Sequence, residues 1–297
     1  MATFNLTINA NSFTGGAAGD LFRGPGGGID TLNGGGGNDR FIIDMAQRGS
    51  INGGIGHDKL FFQDMNNAFH SGLRITGVEE FVPSFQNIFA SVAQLRGFTK
   101  YTILTDEPEY FIFLQAAGGT LDFTTSYTST KKLNIEANMT TSAVAITGSA
   151  RGDSISGSNF ADTLSGGGGN DQLFGGGNGA DKLNGGAGSD ALTGFQGADR
   201  FIFSAKSHSV VGANADRIMD FDDGNTGDRI DVSALFGAAM TYRHNAAFTA
   251  AGQVRINDVT GADVIVEVNT GGSLAADFAI RLVDTTLASM NAGDFVL

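Results

Sequence analysis

The chain has 297 residues, 45 of them glycine, no cysteine and a formal net charge of -13. That composition excludes a disulfide framework, weighs against nucleic acid as a partner, and suits a solenoid better than a conventional globular core. The first residues, MATFNLTINANSF, lack the basic and apolar regions of a Sec signal peptide, and nowhere does an apolar run reach the ~18 residues of a membrane span.

In chain order, residues 3 to 8 set Phe4, Leu6 and Ile8 between polar neighbours, the alternation of a first strand. A first repeat block follows, and residues 1–61 are taken as one region. Its units read Gly-Gly-x-Gly-x-Asp-x-apolar-x, with aspartates at Asp20, Asp30, Asp39 and Asp58 and apolar partners at Phe22, Leu32, Phe41 and Leu60. This is the nonapeptide of a calcium-binding parallel β-helix. The glycines let the backbone bend so that carbonyl oxygens converge, and the aspartate completes an all-oxygen shell for a hard cation. The x-apolar-x triplet makes a three-residue strand whose middle side chain points inward.

Residues 62–147 hold few glycines, and short β-forming segments such as LRITGVEEF, YFIFLQ and KLNIEA take over. A separate all-β domain and a metal-free continuation of the solenoid both fit. The second is preferred, because no Pro- or Ser-rich hinge marks a boundary.

Residues 148–202 form the second repeat block, with Asp153, Asp162, Asp171, Asp181, Asp190 and Asp199 followed two positions later by Ile155, Leu164, Leu173, Leu183, Leu192 and Phe201. Three units here, GGGGNDQLF, GGGNGADKLN and GGAGSDALT, are nearly complete. Others depart from the pattern: Ala18 and Arg151 stand at glycine positions, and GSNFADTLS keeps one glycine and the aspartate. The expected ligands are the ten aspartates together with the carbonyls of Gly34, Gly36, Gly53, Gly166, Gly168, Gly175, Gly177, Gly185 and Gly188. The expected fold is all-β, a right-handed parallel β-roll or β-solenoid stabilised by Ca2+, closed at residues 203–297 by a C-terminal β cap in which Phe221, Ile230, Val232 and Leu235 cover the open end.

These repeats resemble the RTX, or haemolysin-type calcium-binding, family. The segment DRIMDFDDGNTGDRIDVSAL is similar to the stretch after the repeats in the C-terminal domain of serralysin-type proteases, and DFAIRLVDTTLASMNAGDFVL to the end of type I secreted proteins. The resemblance implies export by the type I secretion machinery and a secreted, extracellular or cell-surface location.

No HExxH, GxSxG or P-loop occurs, and His57, His70, His208 and His244 are scattered. Asp220, Asp222, Asp223 and Asp228 form an acidic cluster without EF-hand spacing, better read as a solvated turn than as a separate ion site. The reading is therefore of a non-catalytic, self-associating extracellular structural or surface-layer component, with a cell-surface polysaccharide as a further candidate partner. Alternatives are an effector acting on host membranes and an orphan glycan-acting protein using Glu79, Glu80, Asp106, Glu107 or Glu109, which are more simply surface charges.

Overall fold

The computed structural model describes the chain apart from residues 45, 63–66, 84–86, 104–108, 128, 130, 223–226, 259–262 and 289. Asp106, Glu107 and Asp223 therefore lie outside the described residues. Two units are distinguished, Met1–Thr141 and Ser142–Leu297, each built almost wholly of short strands.

In the first unit, Thr3–Asn5, Leu21–Arg23, Arg40–Ile43, Lys59–Phe62, Glu80–Val82 and Lys100–Tyr101 form one parallel sheet. Ser12–Thr14, Asp30–Asn33, Gly49–Asn52 and Leu73–Thr76 form another. Successive repeats alternate between these two sheets, so two nonapeptides make one coil and each strand pairs with the strand two repeats away. The first sheet runs on into the glycine-poor stretch without changing direction. There the strands Asn67–Ala68, Asn87–Ser91, Glu109–Ala116 and Lys132–Thr140 add a further parallel array.

The second unit repeats the plan. Ser154–Ser156, Gln172–Phe174, Ala191–Thr193, Asp216–Ile218 and Phe278–Leu282 lie parallel in one sheet. Ala145–Thr147, Thr163–Gly168, Lys182–Ala187, Arg200–Ile202, Arg229–Asp231 and Phe295–Val296 lie parallel in the other.

The inward column follows from the period-two geometry of a strand. Phe22, Leu32, Phe41, Leu60, Ile155, Leu164, Leu173, Leu183, Leu192 and Phe201 are all buried, none more than 1% exposed. One apolar side chain per nonapeptide stacks on its equivalent in the next coil, and Ile43, Phe62 and Phe203 add a second buried side chain to theirs. In the first unit the column is aromatic: Phe4, Phe22 and Phe41 stack with successive ring centroids 4.7 Å apart, close to the spacing of neighbouring strands.

Phe221, Ile230, Val232 and Leu235 are buried as expected, but they do not close the roll. Arg229–Asp231 is itself paired on both sides, with Arg200–Ile202 and with Phe295–Val296. Closure comes later, where Gln253–Asp258, Val264–Asn269 and Phe278–Leu282 turn antiparallel. Their alternating Val254, Ile256, Val264, Val266, Val268 and Ile280 are buried, and reversing strand direction ends the coil repeat.

Candidate metal centres

Each repeat aspartate follows a glycine-rich bend and precedes an inward-facing strand, which places its carboxylate at the edge of the roll and under the next coil. The carboxylates form ladders. Oδ1 of Asp39 accepts from the Asp20 N–H at 2.6 Å, and Oδ1 of Asp58 from the Asp39 N–H at 2.7 Å. On one edge of the second unit the N–H groups of Asp153, Asp171 and Asp190 donate to Oδ1 of Asp171, Asp190 and Asp216 at 2.7, 2.8 and 2.9 Å. On the other, those of Asp162, Asp181 and Asp199 donate to Asp181, Asp199 and Asp228 at 2.7, 2.8 and 2.9 Å.

The second carboxylate oxygen divides the aspartates into two classes. In Asp39, Asp58, Asp171, Asp181, Asp190, Asp199 and Asp216, Oδ2 is shielded from solvent and has no hydrogen-bond partner. In the irregular repeats it is satisfied by the protein. Asp20 Oδ2 accepts from Gly16 N–H at 2.8 Å, while Ser149 and Ser158 each give a backbone N–H and a hydroxyl to Oδ2 of Asp153 and Asp162. Asp30 is saturated differently: Asn11 donates its N–H and its side-chain amide to Oδ1, and the fully buried Gln47 donates Nε2 to Oδ2 at 2.9 Å. Arg151 is exposed.

The unpartnered oxygens face a cradle that only glycine leaves open. A Cβ on Gly166 would strike both Asp171 Oδ2 and the Gly185 carbonyl oxygen, and one on Gly175 would strike Asp181 Oδ2 and the Gly194 carbonyl. Gly34 stands in the same relation to Asp39 Oδ2 and the Gly53 carbonyl. Carbonyls of Gly34, Gly53, Gly166, Gly175 and Gly185 thus lie along the carboxylate edges. Gly36, Gly168 and Gly177 instead donate their N–H groups to the carbonyls of Gly16, Ser149 and Ser158, and Gly188 packs on the Gly169 carbonyl. Gly186 shows why the second glycine recurs: its φ is +98° and a Cβ there would meet the Gly167 carbonyl.

A buried anionic oxygen without a donor costs free energy unless it is protonated or paired with a cation. Burial pushes Asp171 and Asp216 up to about 8 and Asp228 to about 7, with neighbouring carboxylates adding to the rise. Burial likewise raises Asp181, Asp190 and Asp199 to about 6, and Asp39 and Asp58 also move up. Asp20 moves the other way, because backbone N–H groups of Ala2 and Gly16 stabilise its charge. Among the described residues no three Asp, Glu, His or Cys side chains meet at one point. A six- to eight-oxygen calcium shell here must therefore draw on backbone carbonyls as well as carboxylates, and orphaned carboxylate oxygens beside carbonyl-lined glycine bends fit that donor set.

Sequence reasoning missed three rungs. Asp216 and Asp228 continue the two edges of the second unit, and Glu79 continues the first unit's edge by accepting from Asp58 N–H at 2.8 Å. The spacing had hidden them: the steps to Asp216 and Asp228 are 26 and 29 residues rather than 18 or 19. Glu80 is no surface charge either; it is 1% exposed and faces His57 and Lys59.

The fold and these edges define a calcium-binding parallel β-roll. Residues 14–42 match the RTX calcium-binding nonapeptide repeat (4 copies), repeats that bind calcium. The match to the peptidase M10 serralysin C-terminal family spans residues 99–297, more than half the chain, and the chain belongs to that family. RTX repeats with such a C-terminal domain are typical of type I secreted extracellular proteins. No curated protein matches. Among solved structures, the AlgE6R3 subunit of the Azotobacter vinelandii mannuronan C5-epimerase is 33% identical over 49% of this chain and 78% of its own, with a TM-score of 0.40. The AlgE6R2 subunit of the same enzyme is 32% identical over 52% and 92%, with a TM-score of 0.39.

The two classes of aspartate make different demands. Replacing Gln47 by Ala leaves Asp30 Oδ2 without its donor and is expected to cost about 1–3 kcal/mol while leaving the calcium midpoint of the Asp171 edge unchanged. Thermal melts in saturating calcium, with a parallel calcium titration, measure both.

Proposed function

We propose that this is a non-catalytic, calcium-folded extracellular protein that associates with copies of itself as a structural or surface-layer component. In this reading Asp39, Asp58, Asp171, Asp181, Asp190, Asp199 and Asp216 hold the ions with carbonyls of the glycine bends, while Asp20, Asp30, Asp153 and Asp162 are held by protein donors. Calcium binds the folded chain and not the unfolded one, so its abundance outside the cell drives folding after export.

The observation that carries self-association is a pair of terminal strands in the first unit, among the described residues. Thr3–Asn5 and Ser12–Thr14 are the terminal strands of their sheets, and Phe4 and Phe13, with ring centroids 5.4 Å apart, are only half-buried. An edge of this kind offers unpaired backbone groups and apolar rings to a neighbour's edge. The membrane-effector alternative has no comparable support: no helix among the described residues is long and apolar enough to cross a bilayer. The glycan-acting alternative loses Glu79 and Glu80 to structural roles.

Light scattering and electron microscopy with and without calcium test the assembly. Assemblies are expected only with calcium, and deleting residues 2–12 should reduce them at least severalfold. A strict monomer in saturating calcium would refute self-association.

A further inference from the structure

One edge of the second unit carries aromatic side chains that the calcium ladder does not use. The bends at residues 157–162, 175–181 and 194–199 stack there, and the N–H groups of Asp162 and Asp181 donate to Asp181 and Asp199. Phe195 sits at the second position of its bend, where the preceding coil has Gly176 at φ +113°. The position keeps its left-handed backbone with a phenylalanine in it: Phe195 has φ +66° and is 52% exposed. A bulky side chain in that region is strained, and such strain persists only where the surroundings impose it. Here Asp220 imposes it, accepting from the N–H groups of Gly194 and Phe195 at 2.9 and 2.7 Å.

The core does not need this ring. Among the described residues its ring neighbour is Phe174, 6.3 Å away between centroids, a contact that leaves much of Phe195 in solvent. Phe160, in the bend two coils away on the same edge, is exposed as well. Phe195 lines an open pocket of about 340 Å³ with Gly176, Gly177, Asn178 and Gln196, within the size range of small-ligand sites. None of these residues is charged. The side-chain amides of Asn178 and Gln196 are exposed and make no hydrogen bond among the described residues, so each offers donors and an acceptor beside the ring.

We infer that this pocket binds a neutral glycan, with one pyranose stacked on the Phe195 ring and its hydroxyls held by Asn178 and Gln196. The face of an aromatic ring carries partial negative charge, and a pyranose offers it a face of C–H groups while its hydroxyls reach the amides at the side. An ionic ligand finds no countercharge among the lining residues. A lipid surface would strip water from two amides without giving them partners, whereas sugar hydroxyls replace that water. Two coils of strand spacing separate the bends of Phe195 and Phe160 by about 10 Å, which lets a chain of several sugars reach both rings. This site goes beyond the assembly reading and stands apart from it.

Isothermal titration of the calcium-loaded full chain with cellohexaose and with maltohexaose, alongside sedimentation with phosphatidylcholine–phosphatidylserine vesicles, tests the inference. At least one hexasaccharide should bind, and the vesicles should not. Phe195→Gly introduces the residue that Gly176 shows this bend accepts, so it should keep the calcium-induced circular dichroism while weakening binding about tenfold. Gln196→Ala, at an exposed position, should weaken binding severalfold, and Leu274→Ala, at an exposed apolar position of the cap, should change nothing. Failure of both hexasaccharides to bind, wild-type affinity in Phe195→Gly, or vesicle binding that Phe195→Gly abolishes overturns it. None of these results bears on calcium-dependent assembly, which light scattering reads separately.

Discussion

Asp171→Ala is expected to raise the calcium concentration needed for folding at least about tenfold, and Asp171→Asn to do the same while leaving the calcium-free protein more tolerant of alkaline pH. The pair separates two roles of one side chain. Oδ1 accepts the Asp153 N–H at 2.7 Å, and Oδ2 is buried without a donor against the Gly166 bend. Alanine removes both oxygens and strands a backbone N–H, a loss of about 1–3 kcal/mol before calcium is considered. Asparagine keeps the acceptor for Asp153 but cannot offer the ion a charge, and it no longer ionises in the absence of metal. Calcium titrations followed by far-ultraviolet circular dichroism, together with calcium-free melts at pH 8, read both effects. Equal calcium midpoints for wild type and both variants would remove Asp171 from the site.

The second large effect is on pH dependence without calcium. Six carboxyls of the second unit rise above the ordinary carboxylate range: Asp171 and Asp216 to about 8, Asp228 to about 7, and Asp181, Asp190 and Asp199 to about 6, in each case chiefly by burial. A raised carboxyl keeps its proton in the fold and loses it in the unfolded chain, so the folded state binds more protons over that interval. The resulting stability is complete below about pH 4 and is lost as pH rises through 6 to 8. Glu80 works in the opposite sense. Burial would raise it, but hydrogen bonds from Thr102, His57 and Lys59, with the Lys59 charge, more than reverse that and bring it to about 2, so its contribution is present above the ordinary carboxylate range and fades only as pH falls toward 2. Glu80 lies in the first unit and all six raised carboxyls in the second, so the calcium-free second unit should be most ordered in mildly acidic solution and progressively less so toward pH 8. In calcium the trend should flatten, because the ion replaces the protons and binding releases them. Melting curves in chelator at pH 5, 6.5 and 8 supply the check, and calcium-free stability that increases toward pH 8 would contradict the proposed burial of these carboxyls.

Much of the roll was legible in the sequence because one nonapeptide encodes three things at once: a bend, a ligand and an inward side chain. The register of Asp171, Leu173 and the glycines around them fixes which atoms face the edge and which face the core. Less legible was how each carboxylate is satisfied. Ser149 and Ser158 occupy glycine positions and look like mere degeneracy, yet each supplies two donors to its aspartate. Gln47 lies in the interruption of the first block and reaches Asp30 only because the coil folds it inward. Asp216, Asp228 and Glu79 escaped because insertions break the nine-residue period while leaving the strand register intact. The fate of Glu80 depended on Lys59 and Lys100 arriving on neighbouring strands, a juxtaposition that only parallel pairing creates.

The most direct measurement is a calcium titration of the whole chain at pH 8, starting from exhaustive chelation and followed by circular dichroism and hydrodynamic radius. The account predicts an expanded, sheet-poor chain that contracts cooperatively as calcium is added and expands again when it is withdrawn. An equally compact, sheet-rich protein in chelator, with no change on adding calcium, would contradict it.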